Sequence, residues 1–546
     1  MSVVTATILS ENAKIDAIHE LISIDIRREV NRIPSANLIL LDGDAAKRKF
    51  ALSDAAYFEP GKEIEIKLRY ESETQDATVF KGPVIRHGVE ATANGSLLKI
   101  ELKDAVVKLA QVRKSAVFRE QSDDEAISKL VKDGGLKSGT IAATKPKHAE
   151  IVQWQCSDWD FIVSRADSNG LVVVADDGKI SVRKVELSGQ PKHAFDYGIS
   201  EIYDLEFEAD ASSQYASVES SGWDIKKAEA TAPAAAKNFA LSQGDLDGAE
   251  LAETIGFDAC TLSHPVPVAP EELQAWANAR LMRSRMSMLR GRISTIGFSA
   301  IQLLDVMEID GIGKRFNGKT LVTGICHRVD ADGWRTDIQF GLSPRGFCQE
   351  DGIRDAPAAG LLPGVGGLQI GVVDKFKADP DKQMRVKVIL PGVGAKAEAV
   401  WARLAAPDAG KDRGYFFRPE TGDEVVVGFF NEDPRQPVIL GALYSSKNSP
   451  PKDCAEITED NLKKGIVTKA GTKIMFNDDK KASLSLETDS KNKIVLDDDK
   501  ETIEISDKHG NKITLNKDGI KIDSAKDLKL TASGNVEIKG TKVDVK

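Results

Sequence analysis

Long hydrophobic runs are missing from this chain of 546 residues: nowhere do about 18 apolar residues follow one another, as a membrane-spanning helix would need. The opening Met1-Ser2-Val3-Val4-Thr5-Ala6 has no basic segment leading into an apolar one, so no secretory leader is expected and synthesis is expected to end in the cytoplasm. Cysteine is scarce. The five present (Cys156, Cys260, Cys326, Cys348 and Cys454) are scattered and never spaced C-x-x-C, which argues against a zinc ribbon and fits a reducing compartment without disulfides. Positive charge is also in deficit, with 74 Lys and Arg against 84 Asp and Glu and a formal net charge of -10. Nucleic-acid binders concentrate positive charge to displace counterions, so no nucleic-acid partner is expected.

Catalytic signatures are equally sparse. Seven histidines (His19, His87, His148, His193, His264, His327 and His509) are dispersed without an H-E-x-x-H or H-x-H spacing, so no metal and no cofactor are expected. Lys508-His509-Gly510 reads as an exposed turn, although a trimer would bring three copies of His509 near one another. Gly297-Phe298-Ser299-Ala300-Ile301 fails the G-x-S-x-G elbow at its last position. Gly311-Ile312-Gly313-Lys314 is half a phosphate loop, but Arg315 stands where Ser or Thr is required, and a hairpin turn explains the segment. Asp497-Asp498-Asp499 lies between strand pairs and reads as a solvated turn. No catalytic residue is assigned, and an enzyme is not expected.

What is present is mostly β. With 41% hydrophobic and 29% charged residues the chain has a globular composition, and its length calls for several cores in series. Ile64-Glu65-Ile66-Lys67-Leu68 and Leu97-Leu98-Lys99-Ile100-Glu101-Leu102 alternate with a period of two, the mark of strands with one wet face. Short helices interrupt them. Ser122 and Glu125 form a capping box before Ile127, Leu130 and Val131, with Gly134 as the stop. A second helix follows Ser157-Asp158-Trp159-Asp160, turns Phe161 and Ile162 inward and ends at Gly170. Residues 228–236 read as a surface excursion, and Pro270 opens a third helix predicted to run to Gly291.

A Gly/Pro-dense hinge at 361–367 leads into five strand-like runs, at 369–376, 384–390, 399–405, 424–430 and 438–444. Five short strands in so small a block suggest a closed barrel of the OB type. Beyond Gly471 a pattern recurs: Lys473-Ile474-Met475-Phe476-Asn477-Asp478, Lys493-Ile494-Val495-Leu496-Asp497-Asp498 and Lys512-Ile513-Thr514-Leu515-Asn516-Lys517. Partner strands Leu484-Ser485-Leu486, Ile503-Glu504-Ile505 and Ile520-Lys521-Ile522 lie between and after them, and the tail continues through Leu528, Leu530, Val536, Ile538, Val543 and Val545.

Each such strand offers two apolar side chains to one face, too few to make a core alone. Three copies about one axis would bring every inward Ile or Leu against two mates, and each ring would contribute roughly 5 to 9 kcal/mol gross. The predicted core of this needle is Ile474, Leu484, Leu486, Ile494, Leu496, Ile503, Ile505, Ile513, Leu515, Ile520, Ile522, Leu528, Leu530, Val536, Ile538, Val543 and Val545. A single-chain β-solenoid or β-sandwich tail is the competing architecture, and it would have to fill its own interior.

The barrel segments Val400-Trp401-Ala402-Arg403, Gly414-Tyr415-Phe416-Phe417-Arg418-Pro419-Glu420-Thr421-Gly422-Asp423-Glu424-Val425 and Asp433-Pro434-Arg435-Gln436-Pro437-Val438 resemble the OB-type module of VgrG spikes, the family shared by type VI secretion, extracellular contractile injection systems and contractile phage tails. Asn431-Glu432-Asp433 departs from that pattern, where relatives often place Gly before the Asp. Two N-terminal pieces also match in kind, Ser157 to Phe161 and Phe316-Asn317-Gly318 with His327 and Trp334; packing accounts for them as well as contact does.

The resemblance implies a hub of paired β-barrels with small helices over residues 1–360, an OB-fold collar over 361–450, and a triple-stranded β-helix, or β-prism, needle formed by a homotrimer over 451–546. It further implies a spike that caps the inner tube, nucleates the baseplate and punctures the target cell envelope on sheath contraction. Held in the injection particle and then expelled from it, the spike would carry a PAAR-type tip protein near Val543, Asp544, Val545 and Lys546, and effector cargo. Some phage relatives insert a lysozyme between barrel and needle, for which the segment 446–464 is too short. The sequence stops in strand pattern at Lys546, so cargo is expected to attach otherwise than as an appended effector. A spike that grips or cleaves surface polysaccharide in an inter-chain groove is the alternative.

Overall fold

The computed structural model describes all residues except 1–2, 16–20, 94, 258 and 395–397, so Met1, Ser2 and His19 lie outside the described residues. Two compact units make up the chain, Met1–Asp355 and Ala356–Lys546.

In the first unit the period-two segments form the expected strands. Ile64, Ile66 and Leu68 of Glu63–Tyr70, and Leu98, Ile100 and Leu102 of Gly95–Lys103, are buried, while the residues between them face outward. A sheet of 14 strands carries them. It serves two apolar cores, one around Ile24, Leu38, Phe58 and Leu98 and one around Leu289, Ile309, Ile325 and Ile338. The two halves join where Leu21–Glu29 pairs antiparallel with Gly318–Asp330.

Among the described residues of this unit are four α-helices, of which the first two pack around a core of their own that includes Ile127, Ile162 and Val173. In α1 (Asp123–Asp133) the Ser122 N–H donates to Glu125 Oε2 at 2.9 Å, the predicted capping box, and Gly134 is the C-cap. In α2 (Asp158–Ser168) the Asp160 N–H donates to Ser157 Oγ at 3.1 Å, and Trp159, Phe161 and Ile162 are buried. A short helix absent from the sequence pattern, α3, spans Gly248–Ile255. The helix opened by Pro270, α4, ends at Met286 rather than Gly291. The strand Leu289–Ile296 takes over there because it is clasped between Ile202–Ala209 and Gly333–Phe340. Gly291 is needed within it, since a Cβ would come within 2.4 Å of the Phe207 ring. Residues 228–236 are a surface excursion carrying two two-residue strands, Glu229–Ala230 and Ala234–Ala235.

In the second unit the five predicted runs close into a barrel: Gln369–Val373, Val386–Ile389, Val400–Leu404, Glu424–Phe429 and Pro437–Ala442. Val373, Val388, Ala402, Val425, Val427 and Ile439 fill it. At the departing turn, Asn431 and Glu432 take φ of 50° and 59°, a left-handed conformation that side chains other than glycine adopt at a cost. Asp433 steadies the turn by pairing with Arg435 at 2.6 Å.

After the barrel comes an antiparallel meander of seven strands: Lys463–Val467, Lys473–Asn477, Ser483–Glu487, Lys493–Asp497, Thr502–Ser506, Lys512–Asn516 and Gly519–Asp523. The first of these was not visible in the repeat. In the tail, Leu528 to Leu530, Val536 to Ile538 and Val543 to Val545 alternate like strands, and residues 524–546 form none within a single chain. A strand needs a hydrogen-bonded neighbour, and these segments have none within their own chain.

Candidate functional site

The feature of the second unit that most demands an explanation is the meander's apolar face. Residues opposite one another in an antiparallel pair point to the same side of the sheet, so the register decides what each face carries. Here it runs without a shift through all seven strands. Ile466, Ile474, Leu486, Ile494, Ile505, Ile513 and Ile522 form one continuous row. A second row, Phe476, Leu484, Leu496, Ile503, Leu515 and Ile520, runs beside it.

Among the described residues of this unit, none covers these rows. None of their residues is buried, nor are Leu528, Leu530, Val536, Ile538, Val543 and Val545, and Ile520 is 72% exposed. Two members, Phe476 and Ile466, are missing from the predicted core. Phe476 stands two residues after Ile474 as Leu496 stands after Ile494, which was the available signal. Ile466 gave none, because its strand precedes the first repeat.

The opposite face, apart from Met475 and Val495, and the turns are mostly polar. Lys512 pairs with Glu504 at 2.6 Å and Lys481 with Asp499 at 2.7 Å. Such exposed pairs stabilise little but keep that face wet. Asp497 accepts the N–H groups of Asp499 and Lys500, and the Lys500 ammonium holds its carboxyl below the usual range, so the triple-aspartate run is a hydrogen-bonded turn. Asp507 likewise accepts from the N–H groups of His509 and Asn511, with Gly510 at φ 93°, as the exposed-turn reading of His509 requires. Val543, Asp544, Val545 and Lys546 are all exposed.

The other motifs resolve into packing and turns. Gly311 to Asn317 connects the paired strands Val306–Asp310 and Gly318–Asp330, and the Ile312 N–H donates to Asn317 Oδ1 at 3.0 Å, making the hairpin turn expected in place of a phosphate loop. His327 is buried with its Nδ1 2.9 Å from Thr336 Oγ1 and its ring against Trp334, and burial lowers the imidazole to about 3, so it is neutral. Among the described residues, no three or more His, Cys, Asp or Glu side chains gather as a metal site. In the barrel, Trp401 lies beneath Arg385 and Lys387.

Comparisons with known proteins follow the same division. Residues 1–331 match the Alg8 N-terminal domain, residues 369–444 the type VI secretion system/phage-baseplate injector OB domain, and residues 483–546 the phage baseplate V C-terminal trimerisation domain. The actin cross-linking toxin VgrG1 of Vibrio cholerae is 37% identical over 75 residues, 13% of this chain. The type VI secretion system spike protein VgrG1b of Pseudomonas aeruginosa is 31% identical over 124 residues, 21% of this chain. The chain spans 7% and 17% of the lengths of these two relatives. A solved tail protein from Neisseria meningitidis MC58 aligns with a TM-score of 0.46 at 13% identity, over 63% of this chain and 98% of that one. Matched over more than half its length by the first of these models, the chain belongs to the Alg8 N-terminal domain family, and joins to that domain the injector OB and trimerisation modules of VgrG-type spikes.

Proposed function

We propose that three copies of this chain assemble into the hub and spike of a contractile injection system, with a mechanical and not a catalytic role. One observation carries the proposal: two unbroken apolar rows run along a single-layer sheet, and none of their residues is buried. Antiparallel sheets bury one face, and a face this regular is satisfied by two more of its kind about a common axis. Six intervals of about 4.8 Å make the seven-stranded prism roughly 29 Å long. Each ring of three side chains supplies roughly 5 to 9 kcal/mol gross, and the stacked rings make a rod stiff in compression. Beyond Asp523 the alternating segments find their strand partners in the other two chains.

Within that trimer, residues 1–360 serve as the hub on the inner tube and baseplate, 361–450 as the collar and 451–546 as the needle. Val543 to Lys546 form the end on which a PAAR-type tip protein sits, with effectors carried by either. The trimer waits in the cytoplasm within the assembled particle and is expelled toward the target envelope when the sheath contracts. Native mass measurement of the purified chain tests the core of this: three chains of 59.1 kDa give about 177 kDa, and a monomer at micromolar concentration refutes it.

A further inference from the structure

We propose that the aromatic loop Tyr415-Phe416-Phe417 is a second inter-chain contact, docking each collar barrel onto the neighbouring copy of this chain at the base of the needle; the proposal rests on the trimeric reading above. Only 6% of the chain is aromatic, yet here three aromatic residues stand in succession, each more than half exposed. The loop is held out by its neighbours. The Tyr415 N–H donates to the Asp408 carbonyl at 2.9 Å, and Arg413 pairs with the Asp408 carboxylate at 2.7 Å, which fixes the hairpin leading into the loop.

Around the loop lies more apolar surface. The Arg418 guanidinium faces the Phe416 ring at 5.2 Å and the Phe376 ring at 5.6 Å. A cavity of about 530 Å³ opens between Met384, Arg403, Leu404, Tyr415 and Phe416. A second, of about 320 Å³, lies between Phe376, Met384, Arg385 and Arg418. Met384 is 59% exposed and lines both. Single exposed apolar residues are ordinary, but a contiguous patch rich in aromatic, Met and Arg side chains has the composition of an interface core.

The occupant follows from what the loop stands beside. Glu420, two residues after Arg418, pairs at 3.0 Å with Lys469 in the turn between Lys463–Val467 and Lys473–Asn477. The patch is therefore continuous with the first hairpin of the sheet whose apolar face already requires two more copies. Arg413, Arg385 and Lys469 around it are each paired with a carboxylate of the same chain, while Arg403 and Arg418 lie against the Phe430, Phe376 and Phe416 rings. A second copy of this chain matches such a surface.

Replacing Phe416 by photo-reactive p-benzoyl-phenylalanine in the full chain, in trimers mixed from isotopically heavy and light copies, tests the contact. Irradiation is expected to give heavy-to-light adducts that map to residues 369–444 or 463–477 of a different copy. Adducts confined to one chain, or their absence in a sample whose native mass shows a trimer, overturn the proposal; a sample with no trimer before irradiation instead sinks the trimeric reading. The double variant Phe416→Ser with Phe417→Ser gives a second measurement. It is expected to keep the trimer mass while backbone amides of 369–444 exchange at least about tenfold faster, and unchanged exchange overturns the proposal.

Discussion

Leu98 and Ile494 sit in strands of the same kind, each alternating apolar with polar residues inside an antiparallel sheet, yet Leu98 is 0% exposed and Ile494 is 39% exposed. The first unit folds its sheet around its own cores; the meander leaves its apolar side unburied. Alternation thus specifies that a face must be covered, and topology decides whether the cover is the same chain or another. A self-filled region responds to mutation in its melting temperature. A region completed by other copies responds in its stoichiometry.

The sharpest way to break this contrast is to charge the exposed rows. Ile494→Asp with Ile505→Asp puts six carboxylates into adjacent rings of a trimer and removes on the order of 10 kcal/mol of apolar burial. Native mass is expected to fall to that of one 59.1 kDa chain while the melting of the first unit is unchanged. A persisting trimer would mean that the rows are not the interface. The complementary change, Leu98→Ala, is expected to cost the first unit about 2 to 5 kcal/mol, read as a lowered denaturation midpoint, with the trimer mass intact.

A smaller effect depends on pH. Because burial holds His327 at about 3, the unfolded chain, with an ordinary value near 6.5, takes up a proton that the fold refuses. The stability from keeping this histidine neutral is whole above about pH 6.5 and is lost as pH falls toward 3, about 2 kcal/mol of it by pH 5. His327→Gln can still bond Thr336 and is expected to flatten the stability of the first unit between pH 7 and 5, as followed by denaturant unfolding. An unchanged slope would place the titration elsewhere.

Legibility in the sequence follows the same divide. The meander was readable because its pairings are local and its turns carry Gly, Asp and Asn at the bends, and the barrel because five short apolar runs fall close together in one block. The rows were readable except at Phe476 and Ile466, where register, which only pairing reveals, placed two more apolar residues on the face. In the first unit, single strands were visible but their order was not: the pairing of Leu21–Glu29 with Gly318–Asp330 joins segments roughly 300 residues apart, and no local pattern encodes it.

The eight residues of α3 were missed for a related reason, and they supply the finest test of the contrast. Its fully buried residues are only Gly248 and Ala252, with Leu251 packed at the edge of the core, so its apolar stripe is about two turns long and too short to announce it. A Cβ on Gly248 would come within 2.5 Å of Gln214 Oε1, so packing keeps a poor helix former in the first turn. What starts the helix is Asp247, whose Oδ1 accepts the N–H groups of Ala249 at 2.7 Å and Glu250 at 3.1 Å. Asp247→Ala is expected to cost about 1 kcal/mol, visible as faster amide exchange in 248–255, and Asp247→Ser should recover most of it because a hydroxyl can cap as a carboxylate does. Neither change should alter the trimer mass, since the cap and the groups it serves belong to one chain; a shift in stoichiometry from so local a loss would show that the first unit, too, is completed by its neighbours.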